Sequence, residues 1–268
     1  MGLGRERGGM ELEQLLPMWA VICPLVFLGA VMDAVAGGGG LLSLPAYLLA
    51  GLDPHMAIGT NKLGNLPGMA TSAIRFLHRG NVHLPSAVWC ALGSLVGAWL
   101  GSQLNMRLPS DLLYYLMLIL VPILAVFLIK KRDFGTEDHS EELSPRRLNA
   151  ISLVSSLVIG VYDGFFGPGA GTFLILANTG LCRFGLLTAS GNMKVASVAS
   201  CGAAMVSYAM AGHVMWLVAL PAALCSIAGA YVGAGLALKN GAKLIRPMFV
   251  VVLALLLIRL IYDLMAGG

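Results

Sequence analysis

The sequence predicts an all-α polytopic membrane protein built from two homologous repeats. Three observations carry that prediction. The 268 residues are 58% hydrophobic and only 11% charged, with a mean hydropathy of +0.84, more apolar surface than a soluble chain of this length could bury. Nearly uncharged runs, each long enough to cross about 30 Å of hydrocarbon, recur at Met18–Ala36, Val82–Leu104, Leu112–Ile129, Leu148–Phe166, Val214–Leu238 and Leu244–Leu264. The chain also matches itself at an offset of about 130 residues.

The first run is long, lacks a cleavage site and precedes many further runs, so it reads as a retained helix and not as a secretory signal. It ends in the segment Asp33 to Gly40 (DAVAGGGG), which corresponds to Asp163 to Ala170 (DGFFGPGA). The next matching segment, Ala57 to Lys62 (AIGTNK), corresponds to Ala189 to Lys194 (ASGNMK). Between these motifs lie apolar stretches, Leu41–Leu52 and Thr172–Cys182, of about a dozen residues. At about 1.5 Å per residue they cannot span as helices, so a broken or re-entrant hairpin is expected in each half, followed by three longer transmembrane helices. Glycine permits the backbone conformations that such a break needs.

The expected organisation is an N-terminal tail (1–17), a first repeat (18–130), a solvated linker of mixed charge (131–147) and a second repeat (148–268). If each hairpin returns to its own side, the repeats are inverted, and the linker side then holds eleven Lys and Arg against four, compared with ten against five for parallel repeats. The positive-inside rule therefore favours inverted repeats with a cytoplasmic linker.

Lys62 and Lys194 are the sharpest functional signal. Each stands near the start of an otherwise apolar helix, at the same place in its repeat, among small polar residues: Thr60 and Asn61 in one, Ser190 and Asn192 in the other. An ionisable side chain at membrane depth needs a partner or a wet cavity. Snorkelling to the interface is the alternative. The glycine runs (Gly37, Gly38, Gly39 and Gly40; Gly167, Gly169 and Gly171) add main-chain N–H groups, which with the two cations could cradle an anion. Their plainer reading is a tight turn. Asp33 and Asp163 are candidates for carrying a coupling proton, for neutralising a lysine or for capping a broken helix. Of the two lysines, Lys62 is expected to be the more sensitive to substitution, because Thr60 and Asn61 flank it.

Other signals point to packing. Gly93, Gly97 and Gly101, with Gly229 and Gly233 in the second half, place small residues along one helix face. The five cysteines lie in or beside apolar segments without a C-x-x-C pair, and the five histidines fall near different connections, so no metal or other cofactor is expected. The bases sit at segment ends and not in a stripe with aromatics, which speaks against nucleic acid. No phosphate loop or nucleophile elbow is present to suggest an enzyme. The expected partners are a small anion and the lipid bilayer, and a homo-oligomer is compatible with the sequence.

The motifs from Phe27 to Gly40, Leu44-Pro45-Ala46, Ala57 to Leu63 and Gly160 to Gly171 together resemble the TauE/SafE family of sulfite exporters. The likeness runs from about residue 20 to 265. It implies a multi-pass bacterial inner-membrane permease for sulfite, sulfoacetate or a related sulfonate, often acting in export by alternating access. An anion channel, a proton-coupled uptake permease for another small organic anion and a membrane-embedded assembly or sensor component are the rival readings.

Overall fold

The computed structural model describes residues 12–109, 138–240 and 243–244. The predicted runs at Leu112–Ile129 and Leu244–Leu264, and most of the linker, lie outside the described residues, apart from Leu244 and the stretch from Asp138 onward. Among the described residues all regular structure is helical. The first repeat gives α1 (Leu12–Ala36), α2 (Gly40–Leu49), α3 (Pro54–His78) and α4 (Leu84–Met106). The second gives α5 (Pro145–Phe165), α6 (Ala170–Gly180), α7 (Leu186–Met210) and α8 (Trp216–Asn240).

Five of these helices, α1, α4, α5, α7 and α8, are long and apolar enough to cross a membrane. The short helices α2 and α6, of 10 and 11 residues, fall where half-spans were expected. Two long helices did not stand out as apolar runs. Asn61, Lys62, Asn65 and Arg75 interrupt α3, and Ser190, Asn192 and Lys194 interrupt α7. Lys62 and Lys194 stand on these two helices, so the side chains that meet at the centre dilute their hydropathy.

Each break has a local cause. After α1, Gly37 turns the chain at φ 75°, a conformation that a Cβ disfavours. After α5, Gly167 and Gly169 do the same at φ 102° and 81°. At the start of α3, Asp53 accepts hydrogen bonds from the N–H groups of His55 and Met56, both at 3.1 Å, with Pro54 in the first turn.

The helices pack by exchanging equivalent contacts between the repeats. α4 lies along α5, and α8 lies along α1. On α4, a Cβ at Gly93, Gly97 or Gly101 would run into the carbonyl oxygens of Leu153, Leu157 and Val161 in turn, so the two helices advance in the same direction with their backbones touching. Gly229 and Gly233 approach Phe27 and Val31 of α1 in the same way. This is the small-residue packing the sequence predicts.

α3 and its counterpart α7 also meet across the halves, and they run antiparallel. Gly59, near the start of α3, meets His213 just past α7, while Gly191, near the start of α7, meets Asn81 just past α3. Thr60 accepts a hydrogen bond from the N–H of Met215 at 3.0 Å, and Asn192 accepts one from the N–H of His83 at 3.0 Å. All four contacts map onto one another under the sequence offset of 132, so exchanging the repeats reproduces the interface. The linker from Asp138 to Ser144 docks on the α6–α7 connection: His139 N–H donates to the Arg183 carbonyl at 2.9 Å, and Asp138 accepts from Gly185 N–H at 3.1 Å.

Candidate functional site

The site is assembled at the two broken helix ends. A helix leaves its last carbonyls without partners and carries partial negative charge there. Away from water those groups must be satisfied by protein. At the end of α5, Lys62 of α3 donates to the Asp163 carbonyl at 2.7 Å, Tyr208 of α7 to the Gly164 carbonyl at 3.3 Å and Asn105 of α4 to the Phe165 carbonyl at 2.6 Å. At the end of α1, Lys194 of α7 donates to the Asp33 carbonyl, and Thr172 of α6 donates to the Ala36 carbonyl at 2.9 Å. Each lysine thus places its ammonium at the negative end of a broken helix belonging to the other repeat.

Both lysines also meet the carboxylate at the same helix end. Lys62 Nζ lies 2.8 Å from Asp163 Oδ1, and Lys194 Nζ lies 3.5 Å from Asp33 Oδ2. Lys62 and Lys194 are buried, at 5% and 0% exposure, so neither reaches an interface by snorkelling. Each lysine takes the aspartate of the opposite repeat.

The glycine runs meet as well. Thr172 N–H donates to the Gly37 carbonyl at 3.2 Å, and a Cβ on Gly37 would strike the backbone of Gly171. Gly40 packs on Pro168, and a Cβ on Gly167 would come within 3.1 Å of Lys62 Nζ. Gly39 N–H donates to Asp33 Oδ1 at 3.3 Å, with Gly38 beside it in the same turn. Cys201 of α7 lies beside the first pair, its thiol donating to the Lys62 carbonyl at 3.2 Å. The centre therefore holds two cations, two carboxylates and two glycine turns in close contact.

Other predicted site residues are placed differently. Thr60 and Asn192 hold the interhelical turns described above. Ser190 donates to the Leu186 carbonyl of its own helix at 2.7 Å. Asn61 accepts from Asn65 Nδ2 at 2.8 Å, and Asn65 Nδ2 also reaches Ser43 Oγ of α2 at 3.0 Å. Asn65 and Ser200 were not singled out from the sequence, although Asn65 stands one helical turn past Asn61 on α3, Ser200 stands six residues past Lys194 on α7, and both face the same centre. Sequence reading also missed that His55 and His213 come together, with ring centroids 5.3 Å apart. Among the described residues no group of three or more His, Cys, Asp or Glu side chains could hold a metal ion.

The family model described as sulfite exporter TauE/SafE matches residues 22–260, and so takes in both lysine–aspartate pairs and both glycine turns. The chain belongs to the TauE/SafE family. It is similar to the probable membrane transporter protein ORF9 of a Sinorhizobium species, at 36% identity covering 88% of this chain and 90% of the relative. The probable membrane transporter protein of Haemophilus influenzae is 32% identical, covering 92% and 96%. YfcA of Escherichia coli K12, also named a probable membrane transporter, is 34% identical, covering 89% and 88%. No solved structure shows a significant match. As a TauE/SafE member with five candidate spans among the described residues, the chain is a multi-pass membrane transporter. The positions that carried the sequence resemblance are those that meet at the centre of the fold.

Proposed function

We propose that the chain is a secondary transporter, acting in export, that moves a small sulfur-containing anion such as sulfite, sulfoacetate or a related sulfonate across the bacterial inner membrane by alternating access. The observation that carries this reading is the exchanged pairing: Lys62 with Asp163 and Lys194 with Asp33, each linking one repeat's helix to the other repeat's break. A buried ammonium held only by a carboxylate and helix-end carbonyls offers an oxyanion a strong contact once the carboxylate is protonated or moves aside. The glycine turns bring main-chain N–H groups to the same place. The groups available as ligands under this reading are Lys62, Lys194 and the turns Gly37–Gly40 and Gly167–Gly171, and the groups available to carry a proton are Asp33 and Asp163. Asn61 borders this site, and Thr60, Ser190 and Asn192 hold its walls.

Inverted repeats suit this scheme, because rocking one repeat against the other exchanges two related conformations around a fixed site. That arrangement is supported by the antiparallel run of α3 against its counterpart α7. It is supported further by the clustering of the linker, the α3–α4 turn and the α6–α7 turn at one end, where the basic residues of the cytoplasmic side would gather.

The test is flux into liposomes carrying the purified protein, with sulfite, thiosulfate, sulfoacetate, sulfate and a carboxylate as probes. Saturable uptake of a sulfur-containing anion that responds to an imposed proton gradient is expected. Conductive flux that does not saturate would favour an anion channel, and absence of flux for every probe would overturn the reading.

A further inference from the structure

The two lysine–aspartate pairs are equivalent in sequence but not in surroundings. Asp163 is bonded at every polar atom the structure places near it. Lys62 reaches its carbonyl at 2.7 Å and its Oδ1 at 2.8 Å, and Ser200 donates to its Oδ2 at 2.5 Å. Lys194 donates to the Asp33 carbonyl in the same way, but the Asp33 carboxylate is held more loosely. Lys194 Nζ stands 3.5 Å from its Oδ2, and Gly39 N–H stands 3.3 Å from its Oδ1. The position corresponding to Ser200 is Gly68, which has no hydroxyl to offer.

Beside Asp33 there is a cavity instead. Asp33 and Gly39 line it together with Asn65, Ser72 and Ser226. It has room for about one water molecule and enough polar groups to hold one. The charged partner of Asp33 is Lys194 from α7, and the Lys62–Asp163 pair from α3 and α5 lies beyond the contact between the two glycine turns. The cavity walls given by α3 and α8 carry neutral side chains: Asn65, Gly68, Met69, Ser72, Ser226 and Ala230.

We propose that the cavity beside Asp33 is the single site at which a proton and an oxyanion are taken up together, and that the Lys62–Asp163 pair is its locked, structural counterpart. This rests on the transport reading above. A proton reaching Asp33 through the cavity neutralises the carboxylate and leaves the Lys194 ammonium, still bonded to the Asp33 carbonyl, without a counter-charge. A singly charged oxyanion then restores neutrality, with the hydroxyls of Ser72 and Ser226 and the Gly39 N–H as further donors. The proton stays on the Asp33 carboxyl oxygen, no covalent bond forms to the anion, and the occupied site carries the same net charge as the empty one. The cavity is smaller than an oxyanion in the conformation described, so loading requires the α3–α8 seam, where Gly68 abuts Ser226, to open. Under this proposal Lys194, and not Lys62 as expected from the sequence, is the lysine more sensitive for binding.

Two measurements test this. Dicyclohexylcarbodiimide modifies protonated carboxyl groups in apolar surroundings, so the wild-type protein is treated in detergent across a pH series and the peptides are read by mass spectrometry. Labelling at Asp33 that fades as pH rises, with Asp163 left unmodified, is expected; labelling at Asp163 alone, or at both alike, overturns the inference. Thermal stabilisation by hydrogensulfite and by a singly charged alkanesulfonate is then compared between variants. Asp33→Asn, a stand-in for the protonated carboxyl, should keep stabilisation and lose its pH dependence, whereas Asp163→Asn should retain that dependence. The opposite pattern overturns the inference. If no anion stabilises the wild type, the oxyanion half falls together with the transport reading, and the carbodiimide result still rules on the proton half.

Discussion

Lys62 grips Asp163 twice, donating 2.8 Å to its carboxylate and 2.7 Å to its main-chain carbonyl, across 101 residues of sequence. One ammonium thus neutralises a carboxylate and caps the broken end of α5. The pair is buried, and removing one partner leaves the other charge without compensation.

Lys62→Ala and Asp163→Ala are therefore each expected to destabilise the fold by about 3–5 kcal/mol. A double variant that removes both charges should lose less than the two single losses added together. Thermal unfolding in detergent of the two single variants and the double variant measures this. Additive losses would show that the pair is not energetically coupled.

Gly97 and Gly101 let α4 touch the backbone of α5, where an added Cβ would overlap the carbonyls of Leu157 and Val161. Gly97→Val should force the helices apart and cost about 1–3 kcal/mol, seen as a lower unfolding temperature and poor recovery of monodisperse protein. Gly202 is helical and has nothing within 4 Å of a new Cβ. Gly202→Ala should leave stability unchanged or raise it by up to about 1 kcal/mol. Equal effects at both positions would remove backbone contact as the explanation.

Arg79 and Glu141 lie at the end of the protein shared by the α3–α4 turn and the linker, while Ala211 lies at the opposite end, beside the start of α3. Single cysteines at Arg79 and Glu141, in a background without the native cysteines, should react with impermeant reagent from the cytoplasmic side. A cysteine at Ala211 should react from the other side. Labelling of all three from one side would contradict the inverted arrangement.

Asp138 anchors the linker. Partial burial pushes its carboxyl up, but hydrogen bonds from the side chain and N–H of Ser140 and from Gly185 N–H outweigh that and hold it below the ordinary carboxylate range. A depressed folded value means the docking contributes above the unfolded value of about 3.9 and is lost as pH falls through the folded one. Amide exchange at Gly185 should therefore be protected at neutral pH and lose protection in acid. In Asp138→Ala it should be fast throughout, and protection that persists in this variant would show that the carboxylate does not hold the linker.

The repeat, the breaks and the identity of the charged residues were legible in the sequence, because each depends on local chemistry. Glycine runs stop helices, stretches of a dozen residues cannot span, and small residues spaced by four mark a helix seam. Lys62, Lys194, Asp33 and Asp163 stood out because charge in an apolar segment needs a reason. Their pairing was not legible. Nothing local to Lys62 distinguishes Asp163 from Asp33 as its partner. That choice follows from α3 packing against α7 and the second repeat's break, contacts between residues 101 and 161 positions apart. The unequal settings of the two aspartates were likewise decided in three dimensions. Gly68 and Ser200 are ordinary small residues in sequence, and only the packed helices show that Ser200 donates to Asp163 while Gly68 abuts Ser226 in the wall of a cavity beside Asp33.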